Sequence, residues 1–225
     1  MRDKLDPIAE TGLQFYGKIT ASVTHEIKNV LAIINENAGL LEDLTFMADR
    51  GKPIDPARLK TMAAAMQKQV HRADTILKNL NGFAHSIDDN STDVDLNQTM
   101  EQFMALTERF AAMRGVRVDL QLPASPIKIP TAPFFLVNLL WLCLDFGMSA
   151  SGDDKRVELV VEDTENSVRI RFRQLAGLTE KLLKTFPSDR EKNLLDVLEA
   201  DLKVELGREE ITLQLLKNID NEFSR

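Results

Sequence analysis

Residues 19–40 read ITASVTHEIKNVLAIINENAGL, and they belong to a long run of helical periodicity. Apolar side chains recur at steps of three, four and five residues, which is the spacing of an amphipathic helix. The apolar positions are Ile8, Leu13, Tyr16, Ile19, Val23, Ile27, Val30, Leu31, Ile34, Ala38, Leu41 and Leu44. No proline occurs between Pro7 and Pro53. A helix of about 40 residues would be about 60 Å long, so the sequence predicts a coiled coil or a helical hairpin.

A second helix follows a short loop. Residues 49–56 hold one glycine and two prolines, with Asp55 as the predicted N-cap and Pro56 at the first helical position. The second stripe, which runs to about His85, comprises Leu59, Met62, Met66, Val70, Ala73, Ile76, Leu77, Leu80 and Phe83. A hairpin with this much apolar surface cannot bury it alone. We therefore expect two copies to pair as a four-helix bundle, which makes the protein a homodimer.

The chain changes character after a polar linker at 88–93. We predict two domains, a helical hairpin at 1–88 and a second domain at 94–225. In the second domain, helices are predicted at 96–113, 133–150 and 179–200, the last interrupted near Pro187. Strands are predicted at 116–122, 157–162, 168–172, 202–206 and 211–215. This order indicates an α+β sandwich with helices packed on one face of a mixed sheet.

The composition excludes several classes of protein. The chain has 225 residues, of which 44% are hydrophobic and 28% charged, as in ordinary soluble globular proteins. Its net charge of −7 argues against nonspecific nucleic-acid binding. Cys143 is the only cysteine, so an intramolecular disulfide is impossible, and we expect a buried thiol. Because the sequence shows neither a signal-peptide core nor a stretch of about 18 apolar residues, we expect no membrane association and a cytoplasmic location.

The candidate chemistry lies at residues 25–29, His-Glu-Ile-Lys-Asn. At about 100° per residue, His25 falls about 200° from Val23, so it faces away from the apolar stripe. Asn29 lies one turn along on the face of His25. A neutral imidazole nitrogen can attack an aspartyl phosphate while Glu26 orients or deprotonates the other nitrogen. The amide of Asn29 can position a water or a phosphoryl oxygen. The alternative reading is a plain surface histidine.

The segment Thr24-His-Glu-Ile-Lys-Asn29 resembles the H-box of sensor histidine kinases, with Val30 where that family usually carries proline. Residues 71–84 resemble the end of the second helix of the same hairpin, and the resemblance covers about residues 8–86. It implies a dimerisation and histidine-phosphotransfer hairpin in which His25 is phosphorylated and Glu26 is its acid/base partner. Asn29 stands where phosphatase-active members carry a water-positioning Asn or Thr.

The second domain resembles the ATP-binding domain of these kinases but lacks its motifs. Asn138 matches the first asparagine of the N-box, whereas Leu142 replaces the second, which coordinates magnesium in the family. Leucine cannot bind a cation that requires oxygen ligands. Residues 173–178 hold no aspartate, and after Gly152 only Gly177 and Gly207 remain, too far apart for a glycine-rich phosphate loop. We predict a degenerate histidine-kinase-type α/β sandwich that has lost ATP binding and autokinase activity.

The predicted function is therefore a histidine phosphotransferase in a two-component phosphorelay, which would place the chain in signal transduction. His25 would pass phosphate between the receiver-domain aspartates of an upstream hybrid kinase and of a downstream regulator, with the direction of flow left open. The receivers would supply magnesium, while this chain binds no cofactor and no metal. Receiver docking is predicted at Lys28, Val30, Ile33 and Asn37. Two alternatives remain open: a response-regulator phosphatase that uses Glu26 and Asn29, and a non-catalytic dimer that binds a receiver.

Overall fold

The computed structural model describes residues 7–88 and 91–217. By the contacts among residues, the chain forms two compact units. One unit comprises Ile19–Gly82, and the other comprises the residues up to 18 together with those from 83 onward.

The unit Ile19–Gly82 consists of the greater parts of two helices, which confirms the predicted helical hairpin. Helix α1 spans Pro7–Asp49 and helix α2 spans Pro56–His85. Helix α1 ends in a Schellman arrangement, because Gly51 has φ +83° and its N–H donates to the carbonyl of Ala48 at 2.8 Å. The N–H of Lys52 donates to the carbonyl of Met47 at 3.1 Å.

Helix α2 begins as its sequence predicts. The Oδ1 atom of Asp55 accepts a hydrogen bond from the N–H of Ala57 at 2.9 Å, which satisfies a free donor of the first turn. Pro56 occupies the first helical position, where no N–H is required.

The hairpin carries two apolar stripes that differ in exposure. On α1, Ile19 and Val30 are fully buried, and Val23 and Leu44 nearly so. A second set of large apolar side chains stays exposed within the hairpin unit: Leu31, Leu40, Leu41, Phe46, Val70 and Leu77. Val70 and Leu77 are seven residues apart and therefore lie on one face of α2.

The other unit contains a five-stranded mixed sheet. Its elements in chain order are β1 Thr92–Asp95, α3 Leu96–Met113, β2 Arg117–Gln121, β3 Lys128–Thr131, α4 Pro133–Ser149, β4 Arg156–Asp163, β5 Ser167–Arg173, α5 Glu180–Leu183, α6 Asp189–Val197, β6 Asp201–Glu205, a 3-10 turn Leu206–Arg208 and β7 Glu210–Leu216. The strand order is β2-β4-β5-β7-β6, with β2 and β4 parallel and the other neighbours antiparallel.

One face of this sheet is apolar and lies against helices. Each residue on this face is at most 4% exposed: Val157, Leu159, Val161, Val168, Ile170, Phe172, Ile211, Leu213 and Leu215. Helix α3 packs on β2, and α4 packs on β4 and β5. The opposite face carries charged pairs, such as Arg171 with Glu162 at 2.7 Å. This arrangement confirms the predicted α+β sandwich with helices on one face of a mixed sheet.

A two-stranded ribbon was not predicted. Strands β1 and β3 pair antiparallel, with Val94 opposite Ile129. Strand β1 leads directly into α3, whose N-cap Asp95 accepts from the N–H of Gln98 at 3.2 Å. Each strand has only four residues, so neither shows a resolvable alternation, and β3 contains Pro130.

The predicted domain boundaries, 1–88 and 94–225, stay a prediction, while the contact units place the first residues of α1 and the end of α2 with the sheet. An aromatic cluster is the physical reason, because it joins the first residues of α1 and the end of α2 to α4. Phe15 lies 5.3 Å from Phe83 between ring centroids, and Phe83 lies 5.6 Å from Phe134. Phe15 also stacks on Trp141 at 6.1 Å.

Cys143 lies in α4 with its side chain fully buried. Burial among apolar side chains raises the pKa of its thiol well above the usual range. The predicted buried thiol is thus confirmed. No helix among the described residues is both long enough and apolar enough to cross a membrane.

Candidate functional site

The structure places His25 on the exposed side of α1. Val23, two residues earlier, is 8% exposed, so the two side chains lie on different faces of the helix, as the spacing predicts. Within the described part of the chain, the imidazole of His25 has no hydrogen-bond partner. Both ring nitrogens are therefore open to an incoming group.

Glu26, the next residue, contacts the second helix of the hairpin. Its side chain is 20% exposed, and its Oε2 atom accepts a hydrogen bond from Nη2 of Arg72 on α2 at 3.3 Å. Sequence reasoning missed Arg72. The signal was present, since Glu26 is seven residues after the buried Ile19 and four before the buried Val30, and so falls on the side of α1 that faces α2.

Asn29 and Lys28 are both exposed. Asn29 is four residues after His25, so the two side chains neighbour each other on one helix face. The structure thus brings an imidazole and an amide to a common exposed face, with the carboxylate of Glu26 at its border.

The predicted docking residues do not share one environment. Lys28 is exposed, whereas Ile33 and Asn37 are half-buried, and Asn37 donates through Nδ2 to the carbonyl of Ile33 at 2.8 Å. Val30 is fully buried, so its side chain is not part of an exposed docking surface. The reason is its place on the stripe that faces α2, seven residues after Val23. Leu31, 57% exposed, is the apolar side chain presented next to it.

The two residues that align with the N-box pattern, Asn138 and Leu142, both lie in α4 and differ in burial. Leu142 is half-buried and offers no oxygen. Asn138 is fully buried, and neither its Oδ1 nor its Nδ2 atom has a hydrogen-bond partner. A Cβ at Gly12 would lie 4.0 Å from Nδ2 of Asn138 and 3.0 Å from Cε1 of Phe134, so α1 covers this amide.

The segment after β5 is closed by backbone packing. Gly177 donates through its N–H to the carbonyl of Ala150 at 2.8 Å, and a Cβ at Gly177 would lie 3.0 Å from the nitrogen of Gly152. Leu175 is fully buried, and Phe186 stacks on Phe146 with ring centroids 4.0 Å apart. Gly177 therefore serves close packing between two chain segments.

The described residues were compared with the ligand clusters that bind metal ions. Among residues 7–88 and 91–217, no group of three or more His, Cys, Asp and Glu side chains could hold a metal ion. The other two histidines, His71 and His85, are exposed on α2, and His85 lies 3.2 Å from Asp88 through Nδ1.

No protein-family model matches the chain, and no curated protein matches it. Among solved structures, it is similar to the histidine kinase AdeS of Acinetobacter baumannii, with 12% identity, coverage of 87% of this chain and 98% of that chain, and a TM-score of 0.47. The ATP-binding domain of PrrB from Mycobacterium tuberculosis has 15% identity, covers 58% of this chain and 100% of that chain, and has a TM-score of 0.47. The histidine kinase ThkA, crystallised with the response regulator TrrA, has 17% identity, covers 92% of this chain and 63% of that chain, and has a TM-score of 0.45.

Proposed function

We propose that this protein is a histidine phosphotransferase that moves phosphate between receiver-domain aspartates through His25, without ATP. The observation that carries the proposal is the exposed, unpaired imidazole of His25, with Glu26 next to it and Asn29 on the same face. An ordinary surface histidine needs neither neighbour.

The transfer step balances with the groups present. The lone pair of one ring nitrogen attacks phosphorus, and the bond from phosphorus to the receiver's aspartyl oxygen breaks, which releases a carboxylate. The other ring nitrogen keeps its proton, and the resulting positive ring is stabilised by the adjacent carboxylate of Glu26. The reverse step passes the phosphoryl group to a second receiver. Magnesium in this scheme belongs to the receiver.

The packing around α4 and after β5 supports a transfer reaction that does not use ATP. The buried amide of Asn138 is covered by α1, Leu142 offers no oxygen, and Gly177 is engaged with Ala150 and Gly152. We therefore expect phosphate to reach His25 only from another protein.

We propose that receivers dock beside His25. Lys28 supplies a cation that suits an acidic receiver site, and the exposed Leu31 supplies apolar contact area. Ile33 and Asn37 stay in the proposed surface through their exposed portions. Val30 does not, because its side chain is buried.

We also propose that the hairpin pairs with a second copy as a four-helix bundle. Ile27, Leu31, Ile34, Ala38 and Leu41 recur at steps of four and three, a second stripe separate from the one that faces α2. Leu31, Leu41, Val70 and Leu77 remain between 37% and 57% exposed in the single chain. A second hairpin would remove this apolar surface from water.

The test is transfer of labelled phosphate. The purified protein is incubated with labelled ATP alone, and then with receiver domains labelled on aspartate by a small phosphodonor. We expect label on the protein only in the second case, with none on His25→Ala. His71→Ala and His85→Ala are the matched controls and should retain the label. Label from ATP alone would overturn the proposal, as would labelling of His25→Ala.

A second candidate is a phosphatase, which the position of Asn29 favours. There, Asn29 and Glu26 would direct a water at the receiver's aspartyl phosphate, and His25 would never hold phosphate. Loss of phosphate from the receiver with no label on wild-type protein, abolished by Asn29→Ala, would favour this reading. Binding to the receiver with neither activity would indicate a non-catalytic dimer.

A further inference from the structure

We propose that Arg72 is a positioning residue for phosphotransfer, which acts by holding the carboxylate of Glu26 beside His25. This inference rests on the proposed function, and it concerns a residue on the other helix of the hairpin, 46 positions from Glu26.

The first support is the environment of Glu26. Its position on α1 lies between Ile19 and Val30, which are both fully buried, and its side chain is only 20% exposed. A carboxylate on an apolar stripe requires a partner, since an ionised group that loses water without one is costly to bury. Arg72 is the partner that α2 provides.

The second support is that this ion pair joins the two helices. Within residues 7–88, the other ion pairs are local to one helix or its end, such as Lys78 with Asp74 at 2.8 Å and His85 with Asp88 at 3.2 Å. Since Arg72 is 52% exposed, solvent and salt weaken the pair, and it contributes little to stability. We therefore assign to this ion pair the role of orienting the carboxylate of Glu26.

The third support is that the two carboxylate oxygens of Glu26 differ in their contacts. Oε2 of Glu26 accepts from Arg72, whereas Oε1 accepts no hydrogen bond from a described residue. Anchoring one oxygen limits the rotamers of Glu26 and leaves the other for the ring N–H of His25, the preceding residue. Because the carboxylate of Glu26 then samples fewer orientations, the phosphotransfer step is faster once the receiver is bound.

The experiment measures transfer from a labelled receiver to His25 at saturating and subsaturating receiver. We expect Arg72→Ala to lower the saturating rate about tenfold, a fraction of the roughly 10²- to 10⁴-fold that a positioned acid or base contributes. The half-saturating receiver concentration should stay within about twofold of wild type, because Arg72 acts through Glu26 rather than on docking. Arg72→Lys should recover most of the rate.

Two comparisons make the result specific. Lys78→Ala also removes one cation and one ion pair from α2, but it should leave the rate unchanged. In a Glu26→Gln background, Arg72→Ala should cause little further loss, because two residues that act as a unit are not additive.

Three outcomes overturn the inference while leaving the proposed function intact. They are an unchanged or faster rate in Arg72→Ala, an equal loss in the Glu26→Gln background, and a loss confined to the half-saturating concentration. Failure of wild-type protein to accept label from any receiver would overturn both. Thermal unfolding of each variant, expected to match wild type, excludes misfolding as the cause of a lost rate.

Discussion

At the scale of single residues, His25 and Glu26 show which properties of a side chain follow from its position on a helix. The sequence pattern predicts that His25 faces water, and the structure agrees, because that conclusion needs only the geometry of one helix. The partner of Glu26 is a different matter. Arg72 is close to Glu26 only through the register between α1 and α2, which the spacing within either helix does not specify.

Asn138 supports a stability prediction at the same scale. Its amide is fully buried, and both polar atoms lack partners. Because an unsatisfied buried group costs about 1–3 kcal/mol, Asn138→Leu, which keeps the branched shape, should raise the free energy of unfolding by about 1 kcal/mol. Urea denaturation measures the difference. Asn138→Ala, which leaves a cavity, is the comparison and should not stabilise the protein. A loss of stability in Asn138→Leu would show that a buried water satisfies the amide.

At the scale of elements, the strongly periodic segments could be predicted and the short ones could not. Helices α1, α2, α3 and α4 and the sheet strands match their predicted places, because each shows several repeats of its period. Strands β1 and β3 were not predicted, since each is four residues long and is defined by pairing with a distant segment, as for Val94 with Ile129, 35 positions later. The division into units escaped as well, because it depends on the contact of Phe15 and Phe83 with α4.

Close packing after β5 yields a prediction at this scale. A Cβ at Gly177 would lie 3.0 Å from the nitrogen of Gly152 and 3.1 Å from the carbonyl oxygen of Ala150, and backbone atoms cannot move aside as a flexible side chain would. Gly177→Ala should therefore destabilise the protein by about 1–3 kcal/mol. Gly207→Ala is the matched control, because nothing lies within 4 Å of its added Cβ. Equal midpoints of thermal unfolding for the two variants would contradict the packing role.

At the scale of the whole molecule, the exposed stripe on the hairpin predicts its assembly. Leu77 is 52% exposed and shares a face of α2 with Val70. Leu77→Glu places a charge in the proposed interface between copies and should convert the dimer to a monomer in sedimentation equilibrium. Thr75→Glu adds the same charge on an exposed position about 200° around α2 and should remain dimeric. A wild-type protein that is monomeric at micromolar concentration would contradict the four-helix bundle.

The buried thiol of Cys143 has a consequence for the chemical durability of the protein. Oxidants and alkylating reagents attack thiolates, and a fully buried thiol with a raised pKa offers them almost none at neutral pH. With no second cysteine in the chain, modification of this sulfur requires the layer of α4 to come away from the sheet. The rate at which a thiol reagent labels the native protein therefore measures how fast α4 separates from the sheet.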